Sequence, residues 1–261
     1  MIICFTGTGN TRHVADILQE SLGDEIIRLA PGFMVNPKRV LLKVSDERVI
    51  WAFPIHAWRQ PRMVRNVIKK CTITSNDPVN HYMVCTCGDD IGEAAADWRR
   101  CIRSRGWTAR TAYSVQMPNS YVMMKGFDVD SPDLVQRKLD ECNKRVESIA
   151  EDIATGEAMN DDVEKGRWSF LKTYVVNPWF VRFKLSTKPF NVSEKCVGCG
   201  RCARNCPVVA IEMVNNRPVW IQDKCVMCGR CYHCCTTHAI SYGNDTAGKG
   251  QYLHPGYILK K

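Results

Sequence analysis

Two cysteine-rich runs near the end of the chain are the residues best suited to chemistry. They read KCVGCGRCARNCP (195–207) and KCVMCGRCYHCCT (224–236), and each has the spacing C-x2-C-x2-C-x3-C. Three cysteines two residues apart let one loop surround an iron–sulfur cube, and a fourth completes the ligand set. Zinc sites normally use two well-separated C-x2-C pairs. The spacing therefore predicts iron–sulfur clusters. The eight predicted ligands are Cys196, Cys199, Cys202, Cys206, Cys225, Cys228, Cys231 and Cys235.

The two runs also form a repeat. CVGCGRCARNCPVVAIEM aligns without gaps on CVMCGRCYHCCTTHAISY, which indicates two halves of one domain. Gly198, Gly200 and Gly229 suit tight backbone turns around the sulfurs. The pattern resembles bacterial two-cluster ferredoxins, in which the fourth cysteine of each run binds the other cluster. That resemblance implies two 4Fe-4S clusters. One ligand set is Cys196, Cys199, Cys202 and Cys235, and the other is Cys206, Cys225, Cys228 and Cys231.

The second run is the less regular of the two. Thr236 stands where the first run has Pro207, and Cys234 precedes Cys235, so two cysteines compete for the fourth ligand position. The register of the repeat favours Cys235. His233 and His238 lie close by, and the complete cysteine set assigns them to the surroundings of the clusters or to the surface.

A glycine-rich stretch, FTGTGNT (5–11), opens the chain between a predicted strand and a predicted helix. Small residues there let backbone N–H groups and the helix N-terminus approach a phosphate. No lysine follows, so the stretch is not a Walker A loop. Arg12 replaces the third glycine of a dinucleotide fingerprint. The stretch predicts a mononucleotide phosphate site, and the alternative is a glycine turn without a ligand.

Strands and helices alternate through the first part of the chain, which predicts a parallel sheet covered on both faces. In the first helix Val14, Ile17 and Leu18 have helical spacing, and Asn10 or Thr11 suits the N-cap. Ser131 precedes Pro132 as a cap for the last helix. The predicted strands are 1–5, 25–30, 48–53 (stopped by Pro54), 81–86 and 108–115. The predicted helices are 10–22, from Pro61 to about 70, 90–104 and 131–155.

The loop and the alternation together resemble flavodoxins, with the sheet order 2-1-3-4-5 and FMN at the switch point. With the cysteine runs, nearly the whole chain resembles the flavodoxin–ferredoxin fusion, or ferrodoxin, family. The resemblance implies an α/β fold. A flavodoxin-like, doubly wound, five-stranded parallel sheet is followed by a small α+β two-cluster ferredoxin-like domain. It implies three boundaries, giving a flavin domain (1–160), an aromatic and basic linker (161–189), a cluster domain (190–245) and a tail (246–261).

Carried over by position, the resemblance implies residues for each part of FMN. The phosphate contacts are Thr6, Gly7, Thr8, Gly9, Asn10 and Thr11. One side of the flavin ring is lined by Pro54, Ile55, His56, Ala57 and Trp58. The other side is lined by Thr86, Cys87, Gly88 and Asp89, with Asn119 and Tyr121 as additional contacts. A tryptophan suits stacking on a flat ring, although Trp58 could equally serve packing and His56 could be an ordinary loop residue. No base is evident beside Cys87, so a nucleophilic role is not expected.

The composition limits the class of protein. Of the net charge of +9, residues 1–162 carry −1, while 163–189 and 190–261 carry +5 each. Because an oxidised 4Fe-4S cluster with four thiolates carries about −2, two clusters offset most of the last excess, and we expect no nucleic-acid partner. Fifteen cysteines without a secretory signal indicate a reducing compartment and a cytoplasmic protein. No apolar run is long enough to span a membrane.

These features predict an electron-transfer protein that passes electrons between clusters and FMN and exchanges them with a redox partner. A second hypothesis is a reductase that acts on a small organic substrate at FMN. A third is a redox-sensing or docking module. The linker 163–189 is expected to connect the domains, with its aromatic residues packed on both. Its Trp, Phe, Lys and Arg content also suits a membrane surface, and that alternative stays open.

Overall fold

The computed structural model describes residues 1–29, 41–43 (backbone only), 48–75, 77–183, 185–221 and 225–259. Its centre is a five-stranded sheet in which all neighbouring strands are parallel. The strands are β1 (Ile2–Cys4), β2 (Ile26–Arg28), β4 (Arg48–Pro54), β6 (Asn80–Cys87) and β7 (Thr108–Gln116). Their order is β2-β1-β4-β6-β7. Counted among these five strands, this is the order 2-1-3-4-5, so the predicted flavodoxin-like sheet is confirmed.

Helices cover both faces of this sheet. They are α1 (Asn10–Leu22), α2 (Arg62–Lys70), α3 (Ala94–Arg103) and α4 (Pro132–Thr155). One buried cluster joins Val14 and Leu18 of α1 to Val146 of α4. The opposite cluster joins Val67 of α2 to Trp98 of α3. Because both faces are covered, β4 is a nearly continuous apolar run from Val49 to Pro54, as parallel strands usually are.

Several element ends differ from the prediction. Gly9, with φ of 107°, is the cap residue of α1, and no side chain caps the helix, so neither Asn10 nor Thr11 has the expected role. Helix α3 begins at residue 94 rather than 90, after Gly92 adopts a left-handed φ of 57°. The predicted cap of α4 is present, with Ser131 Oγ accepting from Leu134 N at 3.4 Å. Residue 30 of the second predicted strand lies outside the described residues. The sequence did not predict a small parallel pair, β3 (Leu41–Lys43) with β5 (Thr72–Thr74).

The cluster domain consists of two similar halves. Strand β8 (Phe190–Val192) pairs with β11 (Ile240–Tyr242), and β9 (Ile211–Val214) pairs with β10 (Arg217–Trp220). Two short helices, α7 (Arg201–Arg204) and α8 (Arg230–His233), each lie within one cysteine run and contact each other. Both begin after a left-handed glycine, Gly200 at φ 69° and Gly229 at φ 71°.

The segment between the two domains contains a helix that we call the linker helix, residues 169–183. It consists of α5 (Ser169–Leu171), a π-helical turn (Lys172–Val176) and α6 (Asn177–Phe183). Before it, Asp162 N donates to Ala112 O at 2.9 Å, so the start of the expected linker lies along β7. None of the helices among the described residues is long and apolar enough to cross a bilayer.

Candidate iron–sulfur and flavin sites

The cysteines of the two runs surround two separate cavities. The first cavity is lined by four cysteines, three from the first run and one from the second: Cys196, Cys199, Cys202 and Cys235. The second cavity is lined by three from the second run and one from the first: Cys206, Cys225, Cys228 and Cys231. The structure thus groups the fourth cysteine of each run with the other run, in the sets that the sequence analysis predicts.

Of the adjacent cysteines Cys234 and Cys235, one lines the first cavity and the other does not. Cys235 lines it, and Ala239 N donates to Cys235 Sγ at 3.3 Å. Cys234 is buried, and its Sγ donates to Cys231 O at 3.6 Å. Only Cys235 faces the space where a cluster would bind.

Backbone geometry around the two cavities repeats with the sequence. Ala210 N donates to Cys206 Sγ at 3.2 Å, as Ala239 N does to Cys235. Gly198 has φ of 68°, and its counterpart Met227 adopts φ of 53° despite its side chain. Such N–H···S bonds stabilise the negative charge of ligand sulfurs. The residues present therefore fit two clusters, with backbone donors aimed at the sulfurs.

The glycine-rich loop lies at the carboxyl edge of β1, where a parallel sheet binds its ligands. Thr11 Oγ1 lies 2.7 Å from Thr86 Oγ1, and Thr8 Oγ1 lies 3.2 Å from Ser120 Oγ. Asn10 Nδ2 donates to Pro118 O at 2.9 Å. The structure thus brings the loops after β1, β6 and β7 together.

The backbone of this loop has the donors that a phosphate requires. Thr6 Oγ1 accepts from Gly9 N at 3.1 Å, so one N–H group is used within the loop. No acceptor in the described part of the chain meets the N–H groups of Thr8, Asn10 and Thr11. Buried N–H groups are seldom left without a partner. These three groups at a helix N-terminus therefore fit an anionic ligand such as the FMN phosphate.

The cluster domain contacts the loop directly. A Cβ atom built on Gly7 would lie 3.3 Å from Cys228 Cβ, so only glycine permits this approach without displacement. Arg230, which is 7% exposed, donates from Nε to Gly7 O and from Nη2 to Thr6 O. Its Nη1 donates to Asn205 O at 2.9 Å. The guanidinium of Arg230 thus joins the glycine-rich loop to both halves of the cluster domain.

The C-terminal segment covers the same loop. His254 N donates to Thr8 O at 2.9 Å, and Tyr252 Oη donates to Asn10 Oδ1 at 2.7 Å. A Cβ atom on Gly9 would lie 2.6 Å from Tyr257 Cβ. The expected tail therefore covers the glycine-rich loop, and Thr8 and Asn10 are buried beneath it.

The loop after β4 forms a tight turn. His56 and Arg59 exchange backbone hydrogen bonds, of 2.9 and 3.2 Å, around Ala57 and Trp58, which both have positive φ. The His56 ring lies edge-on to Phe5, 6.3 Å between centroids. Burial lowers the pKa of His56 to about 4, so the ring is neutral at pH 7. Pro54 and Ile55 end β4, and Ile55 N donates to Thr86 O at 2.8 Å.

Trp58 contacts the loop after β6 and the linker helix. Its Cβ would be 2.9 Å from a Cβ on Gly92, and Lys172 Nζ lies 5.7 Å from its ring centroid. The linker helix holds the turn here, with Asn177 Nδ2 donating to Ala57 O at 2.6 Å. The tryptophan thus packs between the loop after β6 and the linker helix.

The other residues that were predicted to contact the flavin ring lie in different surroundings, some in loops and one in the core of the sheet. Gly88 lies against Asn119, because a Cβ on Gly88 would be 3.4 Å from Asn119 Oδ1. The side chain of Asn119 donates to Tyr121 O at 3.3 Å, and the Tyr121 ring contacts Phe127. Cys87 is buried in the sheet core and donates to Asp89 O at 3.6 Å. Burial raises its pKa to about 12, so its thiol is protonated at neutral pH.

His233 links the domains and does not face either cavity. Its Nε2 lies 2.7 Å from Ser120 O, and its Nδ1 accepts from Tyr252 N at 3.1 Å. This pairing fixes a neutral ring with the proton on Nε2, and burial lowers its pKa to about 4. His238 is exposed.

Sequence reasoning missed three connections, namely Arg230, the C-terminal cover and the polar contacts of the linker helix. Arg230 and Arg201 both lie in a Gly-Arg-Cys triplet at equivalent positions of the repeat. Nothing local distinguishes the buried arginine from its counterpart. For Thr173 and Asn177, a polar pair four residues apart on an otherwise apolar helix was the available signal.

A family model and solved structures are similar to parts of the chain. A family of 4Fe-4S dicluster domains matches residues 188–236. No curated protein matches the chain. Among solved structures, a putative flavoprotein from Bacteroides eggerthii is 16% identical, with a TM-score of 0.34, over 54% of this chain and 95% of its own. The Streptococcus pneumonia TIGR4 flavodoxin is 15% identical, with a TM-score of 0.35, over 59% of this chain and 95% of its own.

The sheet order assigns the first part of the chain to the flavodoxin-like fold, and the family match assigns 188–236 to a 4Fe-4S dicluster domain. The chain therefore has a flavodoxin plus ferredoxin architecture. This architecture indicates electron transfer with iron–sulfur and flavin groups.

Proposed function

We propose that the protein carries electrons between two 4Fe-4S clusters and one FMN held in the same chain. When bound, the clusters supply single-electron transfer and the flavin accepts one or two electrons. The approach of Cys228 to Gly7 is the observation that carries the proposal. A proposed cluster ligand and the proposed phosphate loop are in van der Waals contact, with no water-filled gap required between their sites.

The proposed ligand sets follow the two cavities. Cys196, Cys199, Cys202 and Cys235 hold one cluster. Cys206, Cys225, Cys228 and Cys231 hold the other. Cys199 is exposed and Val197 is 71% exposed, so the first site reaches the surface. Cys225 and Cys206 pack against the core of the flavodoxin-like domain. We therefore propose that electrons enter from a redox partner near Cys199 and pass through the first and then the second cluster to the flavin.

The chain's own residues have defined tasks in this proposal. The loop from Thr6 to Thr11 binds the phosphate through its N–H groups and hydroxyls, and the C-terminal segment excludes water from it. His56 and Gly88, on the loops after β4 and β6, line the ring. The buried Arg230 places a positive charge between the phosphate loop and the second cluster site. That charge stabilises negative charge on either side.

The position of the linker helix favours electron exchange over direct reduction of a small substrate. Thr173 Oγ1 accepts from Glu93 N at 2.8 Å, and Asn177 donates to Ala57 O. The helix therefore bonds to both loops proposed to flank the ring. A reductase requires a free approach for its substrate at these loops, whereas electrons can enter through the cluster domain.

Metal and flavin counts test this proposal. Protein purified anaerobically and reconstituted with iron, sulfide and FMN should hold about eight irons and one flavin per chain. A count near four irons contradicts one of the ligand sets, and failure to retain flavin contradicts the N-terminal assignment. A redox titration of the same sample, followed by absorption, then orders the potentials of the groups.

A further inference from the structure

The linker helix has polar residues on the side that faces the protein and apolar residues on the side that faces solvent, which is the reverse of a normal surface helix. Its protein-facing positions are polar: Thr173 is fully buried and Asn177 nearly so. Thr173 Oγ1 donates to Trp58 O at 3.5 Å and accepts from Glu93 N, and Asn177 donates to Ala57 O. A helix that packs on a protein usually buries its apolar stripe instead.

The apolar positions of this helix face solvent. Leu171, Val175, Trp179 and Phe183 recur every fourth residue and are all exposed. Since positions four apart share one face, they form a continuous stripe. Trp168 (71% exposed) and Phe170 (69% exposed) extend it at the helix start. The exposure of these aromatic side chains differs from our expectation that the linker aromatics pack on the domains, whereas Tyr174 of the same helix does contact Arg59 and Arg100.

The charge around the stripe is positive. Residues 165–193 contain six basic residues and no acidic one. Arg167, Arg182 and Lys188 are exposed. Two of the six basic residues are paired, Lys172 with Asp90 at 2.5 Å and Lys165 with Glu93 at 3.8 Å, whereas Arg167, Arg182 and Lys188 make no ion pair with an acid among the described residues. The exposed face therefore combines large apolar side chains with uncompensated positive charge.

We propose that the exposed face of the linker helix binds the surface of a bilayer that contains anionic lipids. Trp, Phe and Leu on one face and Lys or Arg at its border are the composition of helices that lie in the membrane interface. The stripe lies on the outer side of a helix, and neither cysteine cavity is lined by its residues. A stripe of this kind suits the deformable headgroup region, where long basic side chains keep their charge in water. Headgroup phosphates supply the complementary charge.

Vesicle sedimentation with the full, cluster-loaded chain tests this proposal. The protein should bind vesicles of phosphatidylcholine mixed with phosphatidylglycerol, and bind pure phosphatidylcholine far more weakly. Raising the salt concentration should weaken the binding, because surface charges are screened. The W179S/F183S variant should lose about tenfold or more of the partition coefficient, since it removes two large apolar groups from the stripe. M159S/I258S removes two exposed apolar residues elsewhere and should bind like the wild type.

Three results would overturn the proposal. One is the absence of binding to either vesicle, and another is equal binding to neutral and anionic vesicles. The third is a concentration-dependent dimer without vesicle binding that W179S/F183S converts to a monomer, which would make a second copy the occupant. Iron content checks that the variants are folded. If the double variant loses its clusters, the wild-type protein is instead mixed with vesicles that contain brominated phosphatidylglycerol. Quenching of its tryptophan fluorescence would support insertion of the stripe into the bilayer, and unquenched fluorescence would contradict it.

Discussion

The Nε of Arg230 donates a hydrogen bond to the carbonyl oxygen of Gly7, 223 positions earlier in the chain. Arg230 precedes the proposed ligand Cys231, and Gly7 belongs to the proposed phosphate loop. The same guanidinium also binds Thr6 O and Asn205 O, and it lies 5.2 Å from the centre of the Tyr257 ring. This one side chain therefore fixes the second cluster site against the flavin site.

Replacing Arg230 with Gln should both destabilise the protein and slow electron transfer between clusters and flavin. The variant leaves buried carbonyl oxygens without their charged donor, which costs about 2 kcal/mol or more. We expect a lower temperature for the loss of cluster absorption, and slower flavin reduction in stopped-flow experiments.

Arg201→Gln is the matched control, because Arg201 is the equivalent residue of the other half. Its guanidinium makes no hydrogen bond to any residue that the structure describes. This variant should behave like the wild type. Equal effects of the two substitutions would contradict the coupling role of Arg230.

Replacing Cys235 with Ser should remove one cluster, whereas Cys234→Ser should retain both. Only Cys235 lines the first cavity, and Cys234 is buried behind it. Iron content after anaerobic reconstitution should fall by about half in the first variant. The reverse result, with iron lost only from Cys234→Ser, would move the fourth ligand to Cys234.

Gly9→Ala should abolish flavin binding while the clusters stay intact. The new Cβ would lie 2.6 Å from Tyr257 Cβ and 2.7 Å from His254 Cβ, at a φ of 107°. The C-terminal cover or the start of α1 must then move. Flavin fluorescence after gel filtration measures what remains bound.

Gly23→Ala controls for backbone strain alone. Gly23 also has a left-handed φ, of 72°, but a Cβ there meets nothing within 4 Å. Gly23→Ala should therefore lose only about 1–2 kcal/mol of stability to backbone strain, and it should keep its flavin. Flavin loss from both variants would mean that strain, and not the contact with the cover, determines binding.

Acid should release the C-terminal segment from the phosphate loop. The His254 ring stacks on His13, 4.3 Å between centroids. Burial and the charge of His13 lower the pKa of His254 from 6.5 to about 4, although Asp16 acts in the opposite direction. Since the unfolded state then binds the proton more readily, this stabilisation is complete above pH 6.5 and is lost as the pH falls towards 4.

Hydrogen exchange of residues 251–257 should therefore accelerate between pH 7 and 5, after correction for the intrinsic pH dependence of exchange. His254→Gln should reduce that extra acceleration, while the exposed His238→Gln should leave it unchanged. An acceleration that survives His254→Gln would assign the effect to other groups.

The cysteine runs and the parallel sheet could be predicted, because the residue pattern of each is tied to its geometry. Three cysteines two residues apart must wrap around one cluster, and the resemblance to two-cluster ferredoxins implied that Cys206 and Cys235 are exchanged between the cavities. The parallel sheet followed from apolar runs such as that of β4, since strands buried on both faces leave this signature.

The other features depend on contacts between distant segments. Arg201 and Arg230 have the same local sequence, and only the docking of the domains buries one of them. The apolar spacing of the linker helix predicts burial, and it fails because Thr173 and Asn177 make the protein-facing bonds. The C-terminal residues carry no motif, and their role depends on Tyr252 and His254 meeting the loop at the other end of the chain.

Rapid kinetics of flavin reduction test whether electrons pass from the clusters to the flavin within one chain. Anaerobic protein loaded with clusters and flavin is mixed with a limiting amount of a one-electron donor that reduces the clusters first, and flavin absorption is followed. The account predicts a rate of flavin bleaching that does not change with protein concentration and that is lost in Cys228→Ser. A rate that rises in proportion to protein concentration would contradict it, because the electrons would then pass between molecules.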